Sequence, residues 1–345
     1  MFISLSAFLL AELCKMVVKA VWKLAYKQVL ITICTRSTAS KALKGFIFVF
    51  VLKIVLNGDF SCICPKKAVP LYPQKNNAME SLNQYTHRYS LTAADMDTRY
   101  RMTPNAVLLY YQDCWARYMS CLHLAAFDVV KMNRIWVITE FNAWFESQTA
   151  LWSDEIDVTV WNSEISALRL YAEFRVRRED GVEVAHGYGC WTLLDTEEHR
   201  LAPITPIQPQ LPVLAEMTSE THRKCRFPTD GTPLQQIEHR VNPINLDFNG
   251  HVNNRTYLSI AMQSADEAFM DTHAIRCLTI HWLKETFLGD TLQCRLALLP
   301  NDTDEPLYRY LHSISRNDEQ VAAQVYSEWV PRTGQIDVSA HAGRK

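Results

Sequence analysis

Asn245-Leu246-Asp247-Phe248-Asn249-Gly250-His251-Val252-Asn253-Asn254 brings an acid, several amides and an imidazole into ten residues. Asn249-Gly250 is a strong turn dipeptide, and Asn253 or Asn254 is suited to cap a helix. From Arg255 to Met270, Tyr257, Ala261, Ser264 or Ala265, and Ala268 recur at helical spacing on one face. The pattern predicts a buried helix whose positive end gathers polar groups, a good place to hold developing negative charge.

The text around this stretch occurs twice. Thr103-Pro104 has Thr at an N-cap and Pro at a first helical position, and Val107, Tyr111, Cys114 and Tyr118 follow at the spacing of the later helix. A first strand is expected near His87–Ala93. Strands are then expected over Trp136–Glu146, Asp154–Trp161, Leu168–Arg177 and Val184–Leu194, with Asp180-Gly181 as a hairpin signal. In Leu168–Arg177, apolar Leu168, Leu170, Ala172, Phe174 and Val176 alternate with Arg169, Tyr171, Glu173, Arg175 and Arg177. The second half repeats the plan with Gln236–Val241, Ile275–Glu285, Asp290–Leu299, Leu307–Ser315 and Val321–Trp329. Leu151-Trp152-Ser153-Asp154 matches Phe287-Leu288-Gly289-Asp290.

A long helix followed by four antiparallel strands must bury a helix stripe against one sheet face, and the alternation suits a sheet with one face covered and one wetter. The fold class is therefore α+β: tandem hot-dog domains, each a long helix wrapped by an antiparallel sheet, paired edge to edge as a single-chain pseudo-dimer. The expected division is an extension over 1–78, an N-terminal hot-dog domain over 79–202, a Pro- and Thr-rich linker over 203–233, a C-terminal hot-dog domain over 234–332 and a tail over 333–345.

Of 345 residues, 48% are hydrophobic and 21% charged, enough apolar surface for a sizeable core. The net charge of −2 hides an asymmetry: residues 1–78 carry +9 and the remainder −11. So acidic a body excludes a general nucleic-acid binder. The ten cysteines are scattered, and Cys62-Ile63-Cys64 lacks zinc spacing. No metal signature, P-loop, dinucleotide fingerprint or serine elbow is present, so no cofactor or metal is expected. Residues 1–78 are basic and apolar, and Phe46–Leu56 is shorter than a bilayer span. They suit a membrane-surface anchor, an atypical targeting peptide or sequence upstream of a start at Met79. The last is the expectation, with membrane contact only if the segment is retained.

Taken alone, an Asn/Asp/Gly cluster serves turn and cap more often than chemistry, by roughly three to one. The comparison between halves shifts that balance, because the matching place, Tyr100-Arg101-Met102-Thr103-Pro104, shows no acid–amide–His set. Glu285, after Thr279-Ile280-His281-Trp282-Leu283-Lys284, is expected at the end of a strand near the helix start. There it can be a solvated carboxylate, or a base or nucleophile facing His251.

Asp247-Phe248-Asn249-Gly250-His251-Val252-Asn253-Asn254 with Thr256-Tyr257-Leu258, and Trp136-Val137-Ile138-Thr139 before Leu151-Trp152-Ser153-Asp154-Glu155, resemble the acyl-ACP thioesterases of fatty-acid synthesis. The resemblance spans roughly residues 85–330. It implies hydrolysis of fatty acyl thioesters on acyl carrier protein, with Asp247, Asn249, His251 and Glu285 as the catalytic set. Plant members typically have Cys after that Glu; Thr286 stands there and argues against a thiol nucleophile. On this expectation Val252 and Asn253 offer N–H groups to the thioester oxygen. Val107, Tyr111, Trp115, Trp136 and Trp144 then belong to an acyl-binding wall in the first half. The acidic carrier protein would dock on a basic patch, for which Arg175, Arg177 and Arg178, or Arg99 and Arg101, are candidates. The alternatives are an acyl-CoA thioesterase, a hot-dog 3-hydroxyacyl-thioester dehydratase or hydratase, and an acyl-thioester-binding regulatory module. The expected location is the cytoplasm, or the plastid stroma in a plant, with a homodimer possible.

Overall fold

The computed structural model describes residues 82–332, apart from 220–222, 224–225, 302–303 and 318–319. The expectations for residues 1–78 and for the 333–345 tail lie outside the described residues.

Among the described residues, eleven strands form one antiparallel sheet. They are β1 (Tyr85–Ser90), β2 (Arg134–Phe145), β3 (Glu155–Ile165), β4 (Leu170–Arg178), β5 (Glu183–Asp195), β6 (Leu201–Ala202), β7 (Thr232–Arg240), β8 (His273–Trp282), β9 (Thr291–Leu299), β10 (Tyr308–Arg316) and β11 (Gln320–Pro331). Their order is β1-β3-β4-β5-β2-β8-β11-β10-β9-β7, with β6 beside β5. Read from either edge inward, the order is the same plan: a leading strand, three strands of a meander, and the strand that follows the helix. The halves meet at β2 and β8, where Asn142 lies opposite Thr279. Both side chains are fully buried there, and Asn142 Nδ2 donates to Thr279 Oγ1 at 2.8 Å.

Helix α1 (Pro104–Cys121) starts as the sequence requires, with the Thr103 hydroxyl accepting from Ala106 N. Its buried face, Val107, Tyr111, Cys114, Trp115 and Tyr118, fills the concavity of the first half. Burying side chains of this size contributes about 1.5–3 kcal/mol each. The second helix differs from expectation. Instead of running to Met270 it stops: α2 covers Asn254–Gln263 and α3 covers Glu267–Thr272. The break is chemical. Ser264 Oγ bonds Ala261 O and the buried His312 ring (2.8 Å each), and Asp266 caps the new start by accepting from Phe269 N. Ala268, expected on the inner face, is exposed.

Two further departures bear on the site. Strand β8 ends at Trp282, because Leu283 N and Lys284 N both donate to Ala322 O and leave the ladder; Glu285 sits in the loop beyond. And the face of β4 expected to be polar is buried at Tyr171 and Glu173. The segment between the halves covers it. Leu214 N donates to Asn162 O, Trp161 Nε1 to Glu216 O, and Thr218 N and Oγ1 to Glu173 Oε2. Arg223, on the same segment, pairs with Glu173 at 2.5 Å and lies over the rings of Tyr171 and Tyr188.

Candidate active site

The opening stretch forms a closed loop. Asp247 Oδ1 accepts from Asn249 N and His251 N, Asp247 N donates to His251 O, and Gly250 takes the positive φ the turn needs. The first half contains the same loop. Asp97 Oδ1 accepts from Arg99 N and Arg101 N, Asp97 N donates to Arg101 O, and Tyr100 takes the positive φ. Met102 N donates to Ala150 O where Val252 N donates to Thr286 O. Leu151 N donates to Asp154 as Phe287 N does to Asp290. The expectation that the first half lacks the acid is thus corrected: Asp97 stands where Asp247 stands, three residues upstream of the place compared in the sequence, and both carboxylates close the loop.

What differs between the copies is chemistry. His251 replaces Arg101, Asn249 replaces Arg99, Glu285 falls where the first half has Thr149, and Asn254 falls where it has Pro104. His251 Nδ1 is 3.7 Å from Glu285 Oε1, with both groups partly open to solvent. That is one small adjustment from a hydrogen bond. The edge of Phe287 packs on the imidazole at 5.2 Å. Asn249 is exposed and contributes its N–H to the loop.

Thr286 is fully buried, and its hydroxyl bonds Tyr257 OH at 2.6 Å beneath the loop. Burial pushes the Tyr257 phenol up to about 12. Thr286 is therefore a buried group engaged by Tyr257. The expected oxyanion donors need correction too. Val252 N is spent on Thr286 O, and Asn253 N on Asn245 O (2.9 and 2.8 Å). Asn253 instead caps α2 through its side chain, accepting from Arg255 N. The N–H of Asn254, first in the helix, has no partner among the described residues. Sequence reasoning missed it, although Pro104 at the matching place, which lacks an N–H, is visible in the sequence.

Of the five residues expected to form an acyl wall, four pack into the first half's core. Tyr111 and Trp115 are closed in by Phe141, Phe174 and Trp191, with the Trp115 and Trp191 rings stacked at 3.8 Å and Trp136 edge-on to Trp115. Val107 is 2% exposed. Trp144 is different: it lines a groove of about 1160 Å³ between the halves. Glu146, Glu183 and His186 come within 4.8 Å of one another, but Arg175 and Arg177 already engage Glu183. Among the described residues no helix is long and apolar enough to cross a membrane.

Two half-sheets, each with its helix and a matching loop at the helix start, define a tandem hot-dog protein. Family models described as the acyl-ACP thioesterase N-terminal and C-terminal domains match residues 82–207 and 232–331. The chain belongs to the acyl-ACP thioesterase family. It is 22% identical over 221 residues to the chloroplastic palmitoyl-acyl carrier protein thioesterase of Gossypium hirsutum, covering 59% of this chain and 52% of that protein. It is 21% identical over 167 residues to oleoyl-acyl carrier protein thioesterase 2, chloroplastic, of Arabidopsis thaliana, covering 45% of each. The chain thus spans about half the length of these curated relatives. Among solved structures, an acyl-ACP thioesterase from Bacteroides thetaiotaomicron superposes with a TM-score of 0.63 at 15% identity, over 72% of this chain and 98% of that one. The 12:0-ACP thioesterase of Umbellularia californica gives 0.64 at 15% identity, over 72% and 94%. These likenesses show the fold.

Proposed function

We propose that the chain hydrolyses fatty acyl thioesters on acyl carrier protein, releasing fatty acid and carrier thiol and so ending chain elongation. The observation that carries this reading is the His251–Glu285 pair, 3.7 Å apart at one of two otherwise matching helix starts. Glu285 takes a proton from water as the water oxygen attacks the thioester carbon; the C–S bond then breaks, and His251 hands a proton to the departing sulfur. A thiol is a good leaving group, so one base and one acid suffice. The Asn254 N–H steadies the oxyanion, Asn249 orients the water, and Asp247 holds the loop that carries Asn249 and His251. Residues 79–202 form the half that shapes the substrate site, and 234–332 the half that carries the chemistry. The reaction belongs where fatty acids are made, in the cytoplasm or, in a plant, the plastid stroma. Arg175, Arg177 and Arg178 each pair with a neighbouring carboxylate, Glu183, Glu216 or Asp180, which weakens them as a carrier-docking patch.

The test is thiol release from acyl-ACP and acyl-CoA of graded chain length, with His251→Ala and Glu285→Ala in parallel. Each variant should lose on the order of 10²–10⁴ in rate. Full activity in both would remove the site assignment, and release from acyl-CoA alone would change the carrier. No release from any thioester would end the enzyme reading.

A further inference from the structure

The groove lined by Trp144 belongs to the other helix start. Its lining takes in most of the first-half loop from Met96 to Asn105 and contains none of Asn249, His251 and Glu285. It is therefore the symmetry-related counterpart of the reactive place, opened rather than filled. Its composition is that of an amphiphile site. Met262, Met270, Ile275 and Trp329 supply an apolar wall. At one end Arg99, Arg101 and Arg332 converge. Arg332 is held below the usual guanidinium range by burial first, and then by Arg101 and Arg99.

The lining carries four carboxylates, Asp97, Glu146, Glu267 and Asp271, and they do not pair with every guanidinium. Asp271 pairs with Arg99 at 3.1 Å and Asp97 lies 3.8 Å from Arg332. Arg101 has no carboxylate partner among the described residues, and its buried Nε makes no hydrogen bond. Arg255, on the opposite wall, is in the same state. A buried guanidinium N–H without an acceptor is costly, and an anion is the group that would relieve it. Thr149 stands where the second half has Glu285, and the acid–base groups of the lining, Glu146 and His186, are 3.5 Å from each other.

We propose that this groove binds a long-chain carboxylate without reacting with it, its headgroup on Arg101 beside Arg99 and Arg332 and its hydrocarbon along Met270, Ile275 and Trp329. The site is distinct from the reactive pair, so the inference does not rest on the hydrolysis reading. Binding is measured without turnover, and either can fail alone.

The experiment uses the full chain with dodecanoate, dodecanol and a dodecanoate carrying a terminal diazirine. Calorimetry should show dodecanoate binding that Arg101→Gln weakens about tenfold, with dodecanol weaker and insensitive to that change. Ala274→Phe, which fills the groove, should abolish binding and leave thiol release from acyl-ACP unchanged. Photolysis of the unmodified protein, which needs no variant to fold, should label Met270, Ile275 or Trp329. Labelling confined to the His251–Glu285 loop or to the first-half core would overturn the proposal. So would the absence of binding, or binding unchanged in both variants.

Discussion

Replacing Asn254 by proline removes its backbone N–H together with its carboxamide, and Asn254→Ala controls for the second loss. Asn254 is the first residue of α2, a position where proline is favoured because the N–H has no helical partner. The chain before it already suits proline: Asn253 sits at φ −58, ψ 137, in the extended region that a following proline requires. Thr103, before Pro104 in α1, sits at φ −82, ψ 155. The cap bonds from Arg255 N to Asn253 Oδ1 and from Thr256 N to Asn253 O do not involve the Asn254 N–H. Stability should therefore hold, or rise by about 0.4–1 kcal/mol through loss of unfolded-chain freedom. If that N–H meets the thioester oxygen, its loss should cost about 3 kcal/mol in the transition state, or about 10²-fold in kcat. Thiol release read beside thermal unfolding separates the two effects: kcat falls, KM moves little and Tm does not drop. Asn254→Ala keeps the N–H and should keep the rate. A proline variant within threefold of the parent, or an alanine variant as slow as the proline one, would refute the assignment.

Three stability predictions follow from buried groups. Arg223→Ala leaves the fully buried Glu173 carboxylate without its cation and should cost about 3–5 kcal/mol in urea unfolding; a loss under about 1 kcal/mol would show that the covering segment does not hold that face. Gly189→Ala places a Cβ 2.2 Å from Tyr111 Oη, which Trp191 Nε1 and Ala172 O already fix, and should lower stability by about 1–3 kcal/mol in thermal unfolding. Burial holds the His312 imidazole down at about 3, whereas the unfolded chain takes that proton near pH 6.5. Because the folded value is the lower one, this contribution is intact above pH 6.5 and lost as pH falls toward 3, by about 1.4 kcal/mol per unit. Urea unfolding at pH 7 and pH 5 should show that loss in the parent and a flatter response in His312→Gln.

The repeat and its sheet were legible because both rest on local text: two-residue alternation in the strands, Thr103-Pro104 at a helix start, Asn249-Gly250 at a turn. The proximity of His251 and Glu285 was legible as well, since neither residue has a counterpart in the first half. What escaped depends on partners far away in sequence. The break after Gln263 follows from Ser264 meeting His312, 48 residues on. Burial of Glu173 depends on Thr218 and Arg223, in a stretch whose lack of periodicity reads as a tether because it packs as an irregular cover. The spending of the Val252 and Asn253 N–H groups depends on Thr286 O and Asn245 O. Side-chain identity says nothing about where a backbone donor is engaged.

The duplication gives each residue of the site its own control. Features present in both copies serve the loop: the Asp97 and Asp247 carboxylates, the residue at positive φ, the strand-end carbonyl that receives Met102 N or Val252 N, and the Asp154 and Asp290 caps. Features present in one copy do not, since the other copy closes without them. By that standard His251, Glu285 and the Asn254 N–H are the groups free to do chemistry. The first copy shows what remains when they are replaced. The helix end still carries a partial positive charge, now reinforced by Arg101, so it can hold an anion. Thr149 stands there for Glu285 and Pro104 for the Asn254 donor, so the loop itself carries neither group. On the two proposals made above, one scaffold supports a reactive end and an attracting end, and the difference between them rests on a few side chains and one backbone hydrogen.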